Sequence, residues 1–154
     1  MDPAAKKAFA KNFYSRQTTM KELGTKGQRK LAKSKVAIIG IGGLGTVSSL
    51  YLALAGVGHL RLIDQDTVEP KNLHRQILYT TSNLHYPKAE IAAKQLTKLN
   101  PLIKTEPITE NLHTDNAETL LSNVDCIVDG LDNMQTRYLV NRTSVKLGVP
   151  YVFG

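Results

Sequence analysis

This 154-residue chain has one cysteine, Cys126. A single thiol cannot close an internal disulfide, and by itself it cannot build a zinc site. No apolar run approaches the roughly 18–20 residues that a membrane-spanning helix requires, so no membrane association is expected. Residues 1–14 carry Lys6, Lys7 and Lys11 without an apolar segment, and so do not read as a secretory signal. Internal repeats and low-complexity tracts are lacking as well. The expectation is a soluble, cytoplasmic protein. A hydrophobic share of 42% and a charged share of 21% are ordinary globular values and argue against disorder. The length suits one domain, or one part of a larger one.

Acids are scarce at the start of the chain. Residues 1–35 hold ten basic side chains against Asp2 and Glu22, a net charge of +8, whereas residues 36–154 carry −1. The basic character therefore belongs to an N-terminal helical arm, residues 1–34, expected to be solvated and partly frayed over residues 1–12. The arm has no repeated aromatic pattern and no nucleic-acid motif, so nucleic acid is not an expected partner.

From residue 35 onward, strand and helix signals alternate. Residues 35–40, 59–64, 103–109 and 124–129 read as short strands, the third more polar than the others. Tyr151 to Phe153 begins a fifth. Gly43 to Ala55 carries Leu44, Val47, Tyr51 and Leu54 at the spacing of an amphipathic helix. Lys88 to Leu99 places Ala92, Leu96 and Leu99 on one side of a second helix. Asp115 to Leu121 is a short helix. A longer one runs from Asn133 to Leu147, its start set by the capping types Asp132 and Asn133. Residues 67–87 form a long polar connection, and such segments are usually functional or covering. Cys126 lies within an apolar strand and reads as a core residue.

This order predicts an α/β fold: a doubly wound, mostly parallel, Rossmann-like sheet with helices on both faces, incomplete at its C-terminal end. Residues 35–154 would form its nucleotide-binding part. Ligands bind such sheets beyond the carboxyl ends of the strands, here marked by Gly40, Asp64 and Asp129.

Gly40-Ile41-Gly42-Gly43-Leu44-Gly45 follows a strand and opens a helix. Gly40 permits the tight turn, Gly42 lets backbone approach a phosphate, and Gly45 lets the helix pack close to the sheet. The N–H groups of the first helical turn then face the anion. Asp64 lies 19 residues after Gly45, the position of an acid that accepts ribose hydroxyls. Asp66, two residues on, reads equally well as a loop acid or helix cap and as a functional acid. These features alone make a nicotinamide dehydrogenase the default. A polar cluster argues otherwise. Asn72, Arg75, Gln76 and Lys88 can balance the larger charge of a triphosphate, and Asp132 can hold the Mg²⁺ that accompanies it. For any one of these residues alone, surface solvation explains its presence as well.

Together these residues resemble the ThiF/MoeB/HesA adenylyltransferases, a superfamily that includes the ubiquitin-activating enzymes. The resemblance covers roughly residues 13–154. It runs through Arg16-Gln17, Gly27-Gln28, residues 36–45, Asp64-Gln65-Asp66, Asn72-Leu73-His74-Arg75-Gln76, Pro87-Lys88-Ala89 and Asp129-Gly130-Leu131-Asp132-Asn133. It implies ATP·Mg²⁺-dependent adenylation of the C-terminal glycine carboxylate of a small β-grasp carrier ending in Gly-Gly, with release of pyrophosphate. It implies that Gly40, Gly42, Gly43, Leu44 and Gly45 cradle the adenosine and α-phosphate, with Asp64 and Asp66 beside the ribose. Asn72, Arg75, Gln76 and Lys88 would face the phosphates. Asp132, next to Asn133, would hold Mg²⁺, and Arg16 would reach a partner subunit's phosphates in a dimer. Family members continue beyond the equivalent of Gly154 with more sheet, a crossover loop that often bears a thiol, and commonly zinc-binding Cys-x-x-Cys pairs. Zinc is therefore expected only in such a further part. An open sheet edge predicts a need for a complementary chain. A non-catalytic scaffold subunit is the remaining alternative.

Overall fold

The computed structural model describes residues 2–153. Five parallel strands form one sheet in the order β3-β2-β1-β4-β5. They are β1 (Lys35–Ile39), β2 (His59–Ile63), β3 (Lys104–Ile108), β4 (Cys126–Asp129) and β5 (Tyr151–Val152). The chain winds outward from β1 to β3, returns to β4 on the other side of β1, and proceeds to β5. This is the doubly wound order expected, and it puts a switch point between β1 and β4.

Seven helices accompany the strands among the described residues: α1 (Pro3–Phe13), α2 (Ser15–Thr18), α3 (Gly24–Lys33), α4 (Gly43–Ala55), α5 (Lys88–Leu99), α6 (Ala117–Leu121) and α7 (Met134–Leu147). Alternate residues of β1 feed opposite cores, as period-2 side-chain direction requires. Val36 and Ile38 join Ala53 of α4 and Ala92 and Leu96 of α5. Ala37 and Ile39 join Leu121 of α6 and Val140 of α7. Both faces of the sheet are therefore covered, as parallel sheets require.

Element ends differ from the expected ones by one or two residues, and α4 departs in substance. Its presumed core stripe points outward: Leu44 is 53% exposed and Tyr51 67%, with Val47 also on the surface. The buried face is Gly45, Thr46, Ser49 and Ala53. The helix lies too close to the sheet for large side chains there. A Cβ on Gly45 would stand 1.8 Å from the Gly40 carbonyl oxygen. Thr46 and Ser49 fit because their hydroxyls donate to the Gly43 and Thr46 carbonyls of the same helix. In α5, Ala92 and Leu96 are buried as expected, but Leu99 in the last turn is half-exposed. Cys126 is half-buried against the core rather than enclosed by it.

The residue 67–87 connection is a packed cover. Val68, Leu78 and Tyr79 are buried, and a Thr67–Pro87 bridge closes its base. The stretch expected to fray is helical in α1, where the Asp2 carboxylate accepts the Ala5 N–H, and none of its residues is buried. The arm is fastened farther on. The Asn100 amide donates to the Tyr14 hydroxyl at 2.7 Å, and Gln17 and Gln28 both donate to the Ala55 carbonyl. No helix among the described residues is long and apolar enough to cross a membrane.

Candidate active site

The phosphate loop is set by three close backbone approaches. Gly40 leaves β1 with φ +81°, and its N–H donates to the Ile63 carbonyl at 2.9 Å. The Gly130 N–H donates to the Ile39 carbonyl at 2.8 Å. A Cβ on Gly130 would meet the Gly40 oxygen at 2.3 Å. Glycine at these positions lets the loops after β1 and β4 pack against the start of α4. No side chain caps α4, so its first-turn N–H groups remain available to an anion.

Beyond the strand ends lies a cavity of about 1020 Å³. Gly40, Gly42, Gly43, Leu44, Asp64, Asp66, Asn72, Arg75, Gln76, Lys88, Asp132 and Asn133 all line it. Two site residues expected from the sequence do not. Gly45 sits behind the loop, where it permits the close packing. Arg16 is exposed on α2, and its neighbour Gln17 is tied to Ala55 at the far end of α4. That helix has 13 residues, about 20 Å at its usual rise, so Arg16 stands well away from its own pocket.

Asp64 holds the loop as well as facing the cavity. Its carboxylate accepts the Ile41 N–H at 2.7 Å and the Asp66 N–H at 2.8 Å. Burial pushes its carboxyl above the usual range, against the pull of these N–H groups and of Lys88. Lys88 is 5% exposed and pairs with Asp66 at 2.8 Å. Asp66 thus neutralises a buried cation, and its backbone carbonyl also accepts the Lys88 N–H. The Tyr79 hydroxyl donates to the Ile41 carbonyl at 2.8 Å and fixes the loop from below. Its own proton is held tightly, chiefly by burial and then by the charges of Asp64 and Asp66.

Gln76 is 3% exposed, and its Oε1 has no hydrogen-bond donor. A buried amide oxygen left this way is an acceptor that a ligand can satisfy. Asn72 is buried beside it. Arg75 is exposed, with Nη1 donating to the Lys71 carbonyl and its chain lying along Gly43. Across the opening, the Asn133 side chain accepts the Thr136 N–H and caps α7, while Asp132 stays exposed at the wall.

Asp129 departs from expectation. Its side chain is fully buried and lies outside the cavity. The wall also includes Glu110, Asn111 and Leu112. They follow β3, whose carboxyl end is as informative as those of the other strands but carries no glycine or strand-terminal acid to mark it. Among the described residues, no three His, Cys, Asp or Glu side chains gather as a metal cluster. The donor set still suits Mg²⁺, which commonly takes one or two carboxylates and draws its other oxygens from phosphates and water.

The ThiF family profile matches residues 14–154, covering the pocket and all five strands of the sheet. The chain belongs to the ThiF family. It is 45% identical over 141 residues to a sulfur carrier protein adenylyltransferase of Thermus thermophilus, spanning 92% of this chain and 52% of that protein. It is 42% identical over 139 residues to the sulfur carrier protein ThiS adenylyltransferase of Escherichia coli, spanning 90% of this chain and 55% of that protein. This ThiF-family chain thus spans about half the length of these curated relatives. Among solved structures it resembles the E. coli tRNA N6-threonylcarbamoyladenosine dehydratase TcdA, with a TM-score of 0.86 and 25% identity over 92% of this chain and 59% of that one. It also resembles E. coli MccB with ATP, with a TM-score of 0.75 and 33% identity over 80% of this chain and 37% of that one.

Proposed function

We propose that this chain forms the ATP-binding part of an enzyme that adenylates the C-terminal glycine carboxylate of a small sulfur-carrier or ubiquitin-like protein. The observation that carries this reading is the pocket itself. The glycine loop, the acid Asp64, two cations and a buried amide oxygen without a donor meet in one cavity. The named adenylyltransferase relatives favour this over the hydride transfer that the glycine loop alone leaves as the default.

In the reaction, a carboxylate oxygen of the carrier attacks the α-phosphorus of ATP. The bond from that phosphorus to the bridging oxygen breaks, and pyrophosphate leaves with the electron pair. Two anions must be brought together, so alignment and charge neutralisation supply most of the catalysis. Asp64 accepts the ribose hydroxyls, and the first turn of α4 donates to the α-phosphate. Lys88 and Arg75 offset negative charge on the phosphates, with Asn72 and Gln76 as polar neighbours. Asp132 would hold Mg²⁺, which neutralises the triphosphate when bound.

Arg16 acts on the partner's pocket in a homodimer. Leu44, Val47 and Tyr51 form an apolar face along α4, from the pocket end toward the arm. Antiparallel pairing of two such helices about a twofold axis brings each arm beside the other subunit's phosphate loop.

Carrier-dependent exchange of labelled pyrophosphate into ATP tests the reading in the full-length protein that carries this chain. Lys88→Ala or Asp132→Ala is expected to abolish exchange while leaving the fold intact. Persistence of exchange in both variants overturns the site assignment. Mixing inactive Arg16→Ala and Lys88→Ala proteins tests the trans arrangement. Random re-pairing restores one complete site in each mixed dimer, about a quarter of wild-type exchange. No recovery after subunit exchange places Arg16 outside a trans role.

A further inference from the structure

We propose that Arg137 and Asp129 are positioning residues that grip the Leu131 backbone and thereby set where Asp132 stands in the pocket. The proposal rests on the reading of Asp132 as the residue that meets a phosphate-bound cation. The Leu131 backbone is held on both sides of its Cα, through the two peptide groups that flank it. Its N–H donates to Asp129 Oδ1 at 2.7 Å, and its carbonyl accepts Arg137 Nη2 at 2.6 Å. The two gripping side chains also hold one another, with Arg137 Nε 3.4 Å from Asp129 Oδ2. The Tyr151 hydroxyl donates to the same carboxylate oxygen. The Arg137 guanidinium lies 4.6 Å over the Phe153 ring, which restricts its plane.

The neighbours of Asp132 are fixed as well. On one side, Gly130 packs against Gly40, and on the other Asn133 caps α7. Between two anchored residues, Asp132 is the acid of this turn that lines the cavity. A fully buried carboxylate is expensive unless paired, and apolar packing usually serves stability better. Here Asp129 directs one oxygen to the turn and the other to the arginine and tyrosine that brace it. The planar fork of arginine meets a carboxylate and a carbonyl together, and a lysine ammonium cannot reproduce that while keeping the aromatic stack.

The test compares ATP affinity with Mg²⁺ and with EDTA, by calorimetry on the full-length protein, in wild type, Asp132→Ala, Arg137→Ala and Arg137→Lys. Melting curves without ligand are recorded alongside. Asp132→Ala is expected to bring the two affinities together. Arg137→Ala is expected to weaken Mg²⁺·ATP binding about tenfold while changing metal-free ATP binding less than twofold, as loss of a ligand's supporting contact does. Arg137→Lys should show the same selective loss to a smaller degree, and it carries the test if the alanine variant does not fold. A merely structural role lowers the melting temperature and leaves the ratio of the two affinities unchanged. If Asp132→Ala removes the Mg²⁺ preference and the folded Arg137 variants retain it, the positioning role is overturned alone. If Asp132→Ala retains the preference, the reading of Asp132 is overturned and the positioning role goes with it.

Discussion

At the amino-terminal half of the sheet, two cations and a histidine, whose imidazole burial holds toward the neutral form, converge on one acid. Lys35 and His59 each stand 3.0 Å from Glu106 Oε2, and Arg61 Nε stands 3.2 Å from Oε1. Arg61 also donates to the Leu120 and Ser122 carbonyls at the C-terminal end of α6. Several of these contacts are ion pairs without good hydrogen-bond angles. Even so, Arg61 and Lys35 overcome the effect of burial and hold Glu106 down to about 2. At the carboxyl ends the pattern differs. Lys88 has the half-exposed Asp66 as its acid, the Gln76 oxygen has no donor, and Arg75 is exposed. The same strands thus end in a closed charge cluster at one side and an open polar wall at the other. Charge density alone does not mark a site; the wall facing the cavity does so through its unmet acceptor and its backbone glycines.

The largest break in this contrast comes from Gly45→Val. Its Cβ meets fixed backbone, so a loss of about 3 kcal/mol in denaturant unfolding and loss of ATP binding are expected together. Gly42→Ala separates the two effects. A Cβ there meets only Gln76 Nε2 at 3.7 Å, so stability should change by about 1 kcal/mol or less. ATP affinity should fall about tenfold, near 1.4 kcal/mol, because the methyl group occupies the phosphate's approach. Unchanged affinity would show that the phosphates lie elsewhere.

The smallest effect is expected at the closed end. Glu106→Gln should cost on the order of 1 kcal/mol near neutral pH and leave ATP affinity unchanged, since Glu106 is partly exposed and screened. Glu106 titrates lower in the folded chain than its ordinary 4.5. Its contribution is therefore fully present above that value and fades as pH falls toward about 2. Melting curves of the two proteins should converge over that window. A constant gap through it would assign the difference to packing rather than charge.

The succession of strands and helices, the glycine loop, Asp64 and the Asn72-to-Lys88 cluster were legible in the sequence because spacing and strand ends carry them. The buried side of α4 was not. Thr46 and Ser49 look polar but pack as small groups once their hydroxyls bond within the helix, and Leu44 and Tyr51 look like core but face outward. Asp129 ends a strand as Asp64 does, yet one points into the cavity and the other behind it. That depends on which neighbours close over each carboxylate, and Arg137 and Tyr151 lie 8 and 22 residues farther along the chain.

The hydrogen bonds that tie Gly40 to β2 and Gly130 to β1 also bear on how a ligand arrives. Both are continuous with the strand ladders, so the loop keeps its shape as long as the sheet does. A phosphate entering this cradle need not gather a floppy segment around itself. The conformational entropy was surrendered when the chain folded, and more of each new contact is left for binding.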